Sequence, residues 1–252
     1  ACEKGGQWEP ALLVLNEAQE HGLEPNAVGC TTAVSACAKG KQWGLALLIW
    51  AEMQNQLFEL DAMSFSAAIR AHAEGRQWEH AWRMLQDKQV QHLEPNSISY
   101  RAVMSACEQG EQWERALGTI LEMRQHVLDP DVAGYNNAIN ACEKGMQWEF
   151  ALVPLVEMQE HNLELDVISF SAAISACEKG QRWRQGLQLL AEMNRSGIMP
   201  RVISYNAAIS ACEKGERWAV ALSLFTEMEK RCGLCPDLIT YNAAMTACEV
   251  GR

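Results

Sequence analysis

Apolar side chains between Val202 and Met228 fall into two stripes. Tyr205, Ala208, Ile209 and Cys212 stand at i, i+3, i+4 and i+7, and Trp218, Ala221, Leu222, Phe225 and Met228 continue the same rhythm in a second run. Each set lines one face of a helix and leaves polar residues on the other, so the stretch predicts two consecutive amphipathic helices. Ser204 stands where a side-chain cap would open the first helix. Gly215, directly after Lys214, marks its end, since glycine and a basic residue favour termination. Pro236-Asp237 then breaks the second helix. No stretch sustains the period-two alternation of a half-buried strand.

The two-stripe pattern recurs along the whole chain. The run Val202 to Trp218, V-I-S-Y-N-A-A-I-S-A-C-E-K-G-E-R-W, has a near copy from Val167 to Trp183, V-I-S-F-S-A-A-I-S-A-C-E-K-G-Q-R-W, and weaker copies elsewhere. Trp8, Trp43, Trp78, Trp113, Trp148, Trp183 and Trp218 are each 35 residues apart. A constant period of this length marks a repeat array in which each unit packs on its neighbours rather than around one central core. Counted from just after the Pro-Asp or Pro-Asn pair, the full repeats are 27–61, 62–96, 97–131, 132–166, 167–201 and 202–237, with partial repeats 1–26 and 238–252. The repeat 202–237 carries one extra residue, between Arg231 and Cys235.

The recurring small and large residues predict the packing. Ala36, Ala71, Ala106, Ala141, Ala176 and Ala211 allow close helix approach, and the tryptophan is expected to fill the gap between the two helices of its own repeat. Cys2, Cys37, Cys107, Cys142, Cys177, Cys212 and Cys248 occupy one repeat position. Packed helices lie about 8–10 Å apart while a disulfide needs Cα atoms within about 7 Å, so these are expected as buried, unpaired thiols. Individual repeats depart from the pattern: His72 and Glu74 replace Cys and Lys, Gln109 replaces Lys, Pro154 is expected to distort its helix, and Trp50 and Trp82 make two joints bulkier.

The chain has 252 residues, 48% of them apolar, and a formal net charge of −11. No apolar run reaches the roughly 18 residues of a membrane span. The acidity counts against a nucleic-acid partner unless a basic stripe lies on an acidic body. The chain begins at Ala1-Cys2-Glu3 and stops at Val250-Gly251-Arg252, both inside a repeat, so it reads as an interior fragment of a longer array whose targeting and capping segments lie elsewhere.

Pro-Asp closing a repeat, V-I-S-Y-N opening one, A-L-x-L-x-x-E-M in the second helix and the 35-residue period resemble the pentatricopeptide repeat (PPR) family over essentially the whole chain. The related tetratricopeptide repeat has 34 residues and other landmarks. The Cys-Glu-Lys-Gly…Trp-Glu-x-Ala-Leu wording departs from the commonest plant consensus. The resemblance implies an all-α fold, a right-handed α-solenoid of 35-residue helix–turn–helix repeats. It also implies single-stranded RNA binding in a chloroplast or mitochondrion, with one base per repeat read by two or three side chains. In such a repeat the fifth residue and the last read the base and the second clamps it. Carried over, the reading pairs are Thr31 with Asp61, Ser66 with Asn96, Arg101 with Asp131, Asn136 with Asp166, Ser171 with Arg201, and Asn206 with Asp237. The clamps are Val28, Met63, Ile98, Ala133, Ile168, Ile203 and Ile239, of which Ala133 is small for the task. By the family's rules the pairs spell G-A-x-U-x-U, the blanks falling at Arg101 and Arg201.

Lys39, Lys144, Lys179 and Lys214, with Lys4 before them, recur at the end of the first helix and are candidates for phosphate contacts, although Glu3, Glu143, Glu178 and Glu213 directly precede four of the five. Arg182, Arg184, Arg195, Arg201, Lys214 and Arg217 make one stretch locally basic. The overall acidity and the departures at Arg101, Ala133 and Arg201 leave a second reading: a protein-binding scaffold or structural subunit of a larger organellar assembly with a decayed RNA code. No catalytic residue, cofactor motif or metal site is read. His72-Ala73-Glu74 and Cys232-Gly233-Leu234-Cys235 match a zinc deaminase signature only in fragments, more than four repeats apart. His21, His80, His92, His126 and His161 follow a solvent-facing pattern.

Overall fold

The computed structural model describes residues 8–21, 26–56, 61–90, 96–230 and 233–250. The expectations for Cys2, Glu3, Lys4, His92, Cys232 and the two chain ends lie outside these residues. The described residues form thirteen-residue α-helices and no strand. They divide into two compact units, 1–110 with 115–130, and 111–114 with 131–252. In the first unit lie α1 (Trp8–Glu20), α2 (Ala27–Lys39), α3 (Trp43–Asn55), α4 (Ala62–Glu74), α5 (Trp78–Val90) and α6 (Ser97–Gln109), with all but the first two residues of α7 (Trp113–Gln125). The second holds α8 (Val132–Lys144), α9 (Trp148–Glu160), α10 (Val167–Lys179), α11 (Trp183–Arg195), α12 (Val202–Lys214), α13 (Trp218–Lys230) and α14 (Leu238–Val250). Even-numbered helices are the first of their repeats and odd-numbered ones the second.

Within each unit successive first helices stack side by side, α2 on α4 on α6 and α8 on α10 on α12 on α14. A second helix such as α3 or α11 packs against its own partner and against the first helix of the next repeat. This is the helix–turn–helix solenoid arrangement expected. Alanine permits it: Ala68, Ala71, Ala173, Ala176, Ala208 and Ala211 are fully buried. The large fillers are the aromatic at the fourth position of the five first helices α4 to α12 (Phe65, Tyr100, Tyr135, Phe170, Tyr205) and a methionine late in five second helices (Met53, Met123, Met158, Met193, Met228). Each such side chain contributes on the order of 2–3 kcal/mol by leaving water. Trp50 joins this core edge-on to Phe65, ring centroids 5.1 Å apart. α9 keeps the span of its counterparts through the buried Pro154, so the expected distortion does not interrupt the helix.

The repeat cysteines Cys37, Cys107, Cys142, Cys177 and Cys212 are buried and unpaired. Burial pushes the thiols of Cys107 and Cys142 up to about 12 and those of Cys177 and Cys212 to about 11, so they are inert fillers. Cys248 departs from the expectation and is exposed, because α14 packs against α12 and α13 alone among the described helices.

The glycine ends each first helix as expected, while the expected place of the tryptophan is corrected. Gly40, Gly75, Gly145, Gly180 and Gly215 follow the last helical residue with φ between −75° and −87°. The left-handed position falls one residue later, on Lys41, Arg76, Met146, Gln181 and Glu216, at φ 55–59°. The amides that follow close a Schellman turn, as in Arg182 N–H to Cys177 C=O at 2.8 Å and Arg217 N–H to Cys212 C=O at 2.8 Å. The glycine is needed for a different reason. The tryptophan of the preceding repeat is packed against it: a Cβ on Gly145 would stand 2.6 Å from Trp113 Cδ1, Gly40, Gly110, Gly180 and Gly215 meet the same atom of Trp8, Trp78, Trp148 and Trp183, and Gly75 meets Cδ2 and Cε3 of Trp43 at 3.0 Å. The tryptophan therefore joins one repeat to the next rather than filling the gap inside its own. Its ring stays partly open, exposed at Trp43 and Trp218 and half-buried at the other five. Arginines cover several rings, Arg182 over Trp148 at 4.8 Å and Arg217 over Trp183 at 5.2 Å.

The second helices end in a similar turn whose left-handed residue is Val127, Asn162 or Gly197. Val127 is β-branched at φ 57° and 91% exposed, so the backbone is strained and no packing is gained. Val127→Gly is expected to stabilise the first unit by about 1 kcal/mol, read as a rise of a few degrees in Tm. An unchanged or lower Tm would contradict the assignment of strain.

Candidate nucleic-acid interface

The N-terminal ends of the first helices gather the predicted site residues. Each described cap is the last residue of the preceding repeat. Asn26, Asp61, Asn96, Asp131 and Asp166 are extended and accept the N–H three residues on, at 2.8–2.9 Å. Asp237 accepts from Thr240 N–H at 2.9 Å in the same manner. Ser204, expected as a cap, is instead the fully buried third residue of α12, and the cap position belongs to Arg201, which makes no side-chain cap hydrogen bond. Arg201→Asp is expected to raise stability by about 0.5–2 kcal/mol, measured by urea unfolding. No gain would show that the bare N–H groups of α12 are already satisfied.

Because first helices stack in parallel, the fifth residue of one lies beside the cap of the next, about thirty residues on. Asn206 Nδ2 donates to both carboxylate oxygens of Asp237, at 3.0 and 3.1 Å. Asn136 Nδ2 meets both oxygens of Asp166 at 3.3 Å. Ser66 Oγ lies 3.3 Å from Asn96 Oδ1, its nearer acceptor being Ala62 C=O of its own helix at 2.6 Å. Three predicted pairs are thus brought together. The other hydroxyl readers bond elsewhere: Thr31 Oγ1 to Ala27 C=O at 2.7 Å and Ser171 Oγ to Ser204 Oγ at 2.7 Å. Arg101 is exposed on α6, and Asp131 caps α8 in the other unit. Hydrogen bonds from the Thr240 backbone and hydroxyl, with Asn206 adding to them, hold the Asp237 carboxyl below the ordinary carboxylate range.

The predicted clamps stand beside these pairs. Val28, Met63, Ile168, Ile203 and Ile239 are exposed, more than half of each side chain in water, while Ile98 is half-buried and Ala133 is exposed. A hollow of about 390 Å³ opens between Val28, Met63 and Ile98, with Thr31, Asp61 and Ser66 at its polar side and Lys39 and Arg70 at its rim. One of about 300 Å³ lies between Ile168 and Ile203, with Ser171, Arg201, Asn140 and Glu143. Aliphatic walls with a small polar group between them suit a flat ring that has apolar faces and a hydrogen-bonding edge.

The lysines are not independent charges. Lys179 Nζ lies 3.0 Å from Glu143 and Lys214 Nζ 2.9 Å from Glu178, each pair bridging adjacent repeats. Glu178 also accepts from Ser210 Oγ at 3.0 Å. Lys39 is exposed and Lys144 half-buried. A phosphate at Lys179 or Lys214 would have to replace a carboxylate. In the locally basic stretch Arg182, Arg184 and Arg217 lie over tryptophan rings. Among the described residues no cluster of three or more His, Cys, Asp or Glu is arranged to hold a metal ion.

The third residue of the first helix is the participant not anticipated. Ser99, Ser169, Ser204 and Thr240 are fully buried, and each hydroxyl meets the fifth residue of the preceding repeat: Ser66, Asn136, Ser171 and Asn206, at 2.6–2.7 Å. The signal was present as a serine recurring two residues before four of the six readers, at Ser64, Ser99, Ser169 and Ser204.

The sequence matches the profile of the pentatricopeptide repeat domain over residues 13–72, 48–110, 83–144 and 155–215, and that of the PPR repeat family over 200–249. Among solved structures it resembles the pentatricopeptide repeat protein PPR10 from maize, with TM-score 0.66 and 23% identity over 96% of this chain and 35% of that one. PPR10 in complex with an 18-nt psaJ RNA element gives TM-score 0.74 at 18% identity, covering 98% of this chain and 36% of that one. The PPR domain of Arabidopsis thaliana protein-only RNase P 1, in complex with tRNA, gives 0.62 at 11% identity over 72% and 95%. This chain therefore spans about a third of the length of the PPR10 chain. No curated protein matches it.

Proposed function

The chain belongs to the pentatricopeptide repeat family, and we propose that it binds single-stranded RNA along the N-terminal ends of its first helices, one base per repeat. The observation that carries this reading is the hollow between Val28, Met63 and Ile98, where exposed aliphatic walls flank the Thr31, Asp61 and Ser66 side chains. Exposed aliphatics at one position of successive repeats are wasteful on a surface that touches only water. Between them a base gains apolar contact on both faces while its edge meets the reading pair. The RNA in the PPR10 complex and the tRNA in the RNase P 1 complex support the same ligand class. The proposed sequence is G-A-x-U-x-U, read 5′ to 3′ from repeat 27–61 to repeat 202–237, and the proposed compartment is a chloroplast or mitochondrion. No catalytic step is assigned to this stretch.

The test is fluorescence anisotropy with an oligonucleotide containing GAxUxU and a scrambled control, at two salt concentrations. Preferential binding of the first by about tenfold or more is expected. Equal affinity for both would reject the base code, and failure to bind either at low salt would reject RNA as the ligand.

A second reading, a protein-binding scaffold, is favoured by the net charge of −11 and by the Glu143–Lys179 and Glu178–Lys214 ion pairs, which neutralise the cations a phosphate chain needs. It becomes the leading interpretation if RNA fails to bind.

A further inference from the structure

We propose that the hydroxyl of the third residue of each following repeat, Ser169 behind Asn136 and Thr240 behind Asn206, is a specificity-determining positioning group that fixes which way the reading amide faces. The inference rests on the RNA-binding reading above for its consequence, and on hydrogen-bond geometry alone for its mechanism.

An asparagine amide has two ends of nearly equal shape and opposite chemistry. A donor end and an acceptor end select different base edges, so an amide free to turn over reads poorly. At Asn206 both ends are engaged. Asp237 N–H donates to Thr240 Oγ1 at 3.0 Å, which occupies the acceptor side of that hydroxyl. Its single proton is then shared between Asn206 Oδ1 at 2.6 Å and Asp237 Oδ1 at 2.8 Å. Asn206 Nδ2 returns to the Asp237 carboxylate at 3.0 and 3.1 Å. The ring closes through three residues of two repeats. Turning the amide over would set its carbonyl against the carboxylate and its NH2 against the hydroxyl proton, two repulsive contacts in place of two attractive ones. The carboxylate alone draws the NH2 toward it. The hydroxyl holds the other end and anchors the carboxylate as well.

The same ring recurs one step along. Ser169 Oγ lies 2.6 Å from Asn136 Oδ1 and 2.8 Å from Asp166 Oδ1, and Asp166 N–H reaches the same Oγ at 3.5 Å. In the other unit Ser99 Oγ bridges Ser66 Oγ at 2.7 Å and Asn96 Oδ1 at 2.8 Å, while the Ser66 hydroxyl also reaches Ala62 C=O of its own helix at 2.6 Å. Ser169 and Thr240 are fully buried and Asn136 and Asn206 are 6% and 8% exposed, so water does not compete for these bonds. At Thr31 the ring is absent: its hydroxyl bonds its own helix, as that of Ser66 also does to Ala62 C=O at 2.6 Å, while Ser64 Oγ bonds Asp61 C=O. With Oδ1 turned onto the Thr240 hydroxyl, Asn206 presents its remaining N–H to a base, beside the Asp237 carboxylate. The reader therefore favours a base edge that presents a carbonyl acceptor.

Thr240→Val keeps the shape and removes the hydroxyl, Thr240→Ser restores it, and Ser169→Ala repeats the deletion in the neighbouring ring. The first readout, in the whole chain without RNA, is the side-chain amide signal of Asn206 in a 15N–1H spectrum. One slowly exchanging NH2 pair is expected in the parent and in Thr240→Ser, with averaged shifts and faster exchange in Thr240→Val. The second is discrimination between oligonucleotides that differ only at the base opposite Asn206 and Asp237. Thr240→Val should lose about five- to tenfold in the ratio of affinities, with Thr240→Ser recovering it. An unchanged amide signal in Thr240→Val and in the matching Asn136 signal of Ser169→Ala would overturn the positioning role. An unchanged ratio with an altered amide signal would overturn the specificity role. Absence of RNA binding by the parent would reject the binding reading and the specificity role with it, while the amide signals still decide the positioning.

Discussion

Gly180→Ala is expected to lower the stability of the second unit by about 1–3 kcal/mol, although at a negative φ alanine ordinarily stabilises by restricting the unfolded chain. Gly180 has φ −77°, open to any residue, and the left-handed residue of its turn is Gln181 at φ 56°. Backbone freedom therefore supplies no reason for the glycine. Trp148 does, since a Cβ on Gly180 would stand 2.7 Å from Trp148 Cγ, inside van der Waals contact with a rigid ring. The ring cannot simply lift, because Arg182 covers it at 4.8 Å from the guanidinium carbon to the ring centroid. Chemical denaturation of Gly180→Ala, Trp148→Ala and the double variant separates the explanations. If the methyl and the ring collide, the alanine is harmful with Trp148 present and neutral or helpful without it. A Gly180→Ala protein as stable as the parent would remove the tryptophan–glycine contact as the joint between repeats. In an array, where each repeat rests only on its neighbours, weakening one joint loosens both sides of it.

That contact also shows where reading the chain from sequence succeeds and where it stops. Periodicity within a helix is local, so Tyr205, Ala208, Ile209 and Cys212 were legible as one buried face, and all four are fully buried. The 35-residue tryptophan period placed each helix pair. Contacts between repeats depend on how far one helix is offset from the next, which no local pattern encodes. Hence Trp148 was expected inside its own repeat and lies on Gly180 of the following one. Ser204 was expected to cap α12, whereas it is the third residue and bonds Ser171 of the repeat before. Glu143 and Glu178 read as neighbours that dilute Lys144 and Lys179, yet the carboxylates reach forward one repeat to Lys179 and Lys214. In each case residue type and spacing were visible, and the partner, about one repeat away, was not. The candidate reading pairs were legible only through the family resemblance. The hydrogen bond from Asn206 to Asp237 gives that pairing a local physical basis, since cap and fifth residue must meet once parallel helices stack.

Ile168→Ala with Ile203→Ala is expected to weaken RNA binding on the order of a hundredfold while leaving the fold intact. The two side chains are 57% and 65% exposed, so truncation removes little native packing and should move the unfolding midpoint by no more than about 0.5 kcal/mol equivalent. They form opposite walls of the hollow that contains Ser171 and Arg201. A base held there would cover the outward part of both side chains, worth about 1–2 kcal/mol for each at the usual value per unit area, and the two losses together set the factor. Neither side chain carries charge. The slope of affinity against salt should therefore match the parent's, whereas removal of a phosphate-binding lysine would flatten it by about one. Parent and double variant are compared by anisotropy across a salt series, with circular dichroism to confirm the fold. Lost affinity at constant slope assigns the two isoleucines to the faces of a base. Unchanged affinity would mean that RNA, if it binds, does so through charge alone and bypasses the hollows. A fall in slope would mean that the truncations shifted the lysine–glutamate ladder instead, because Glu143 both lines this hollow and pairs with Lys179.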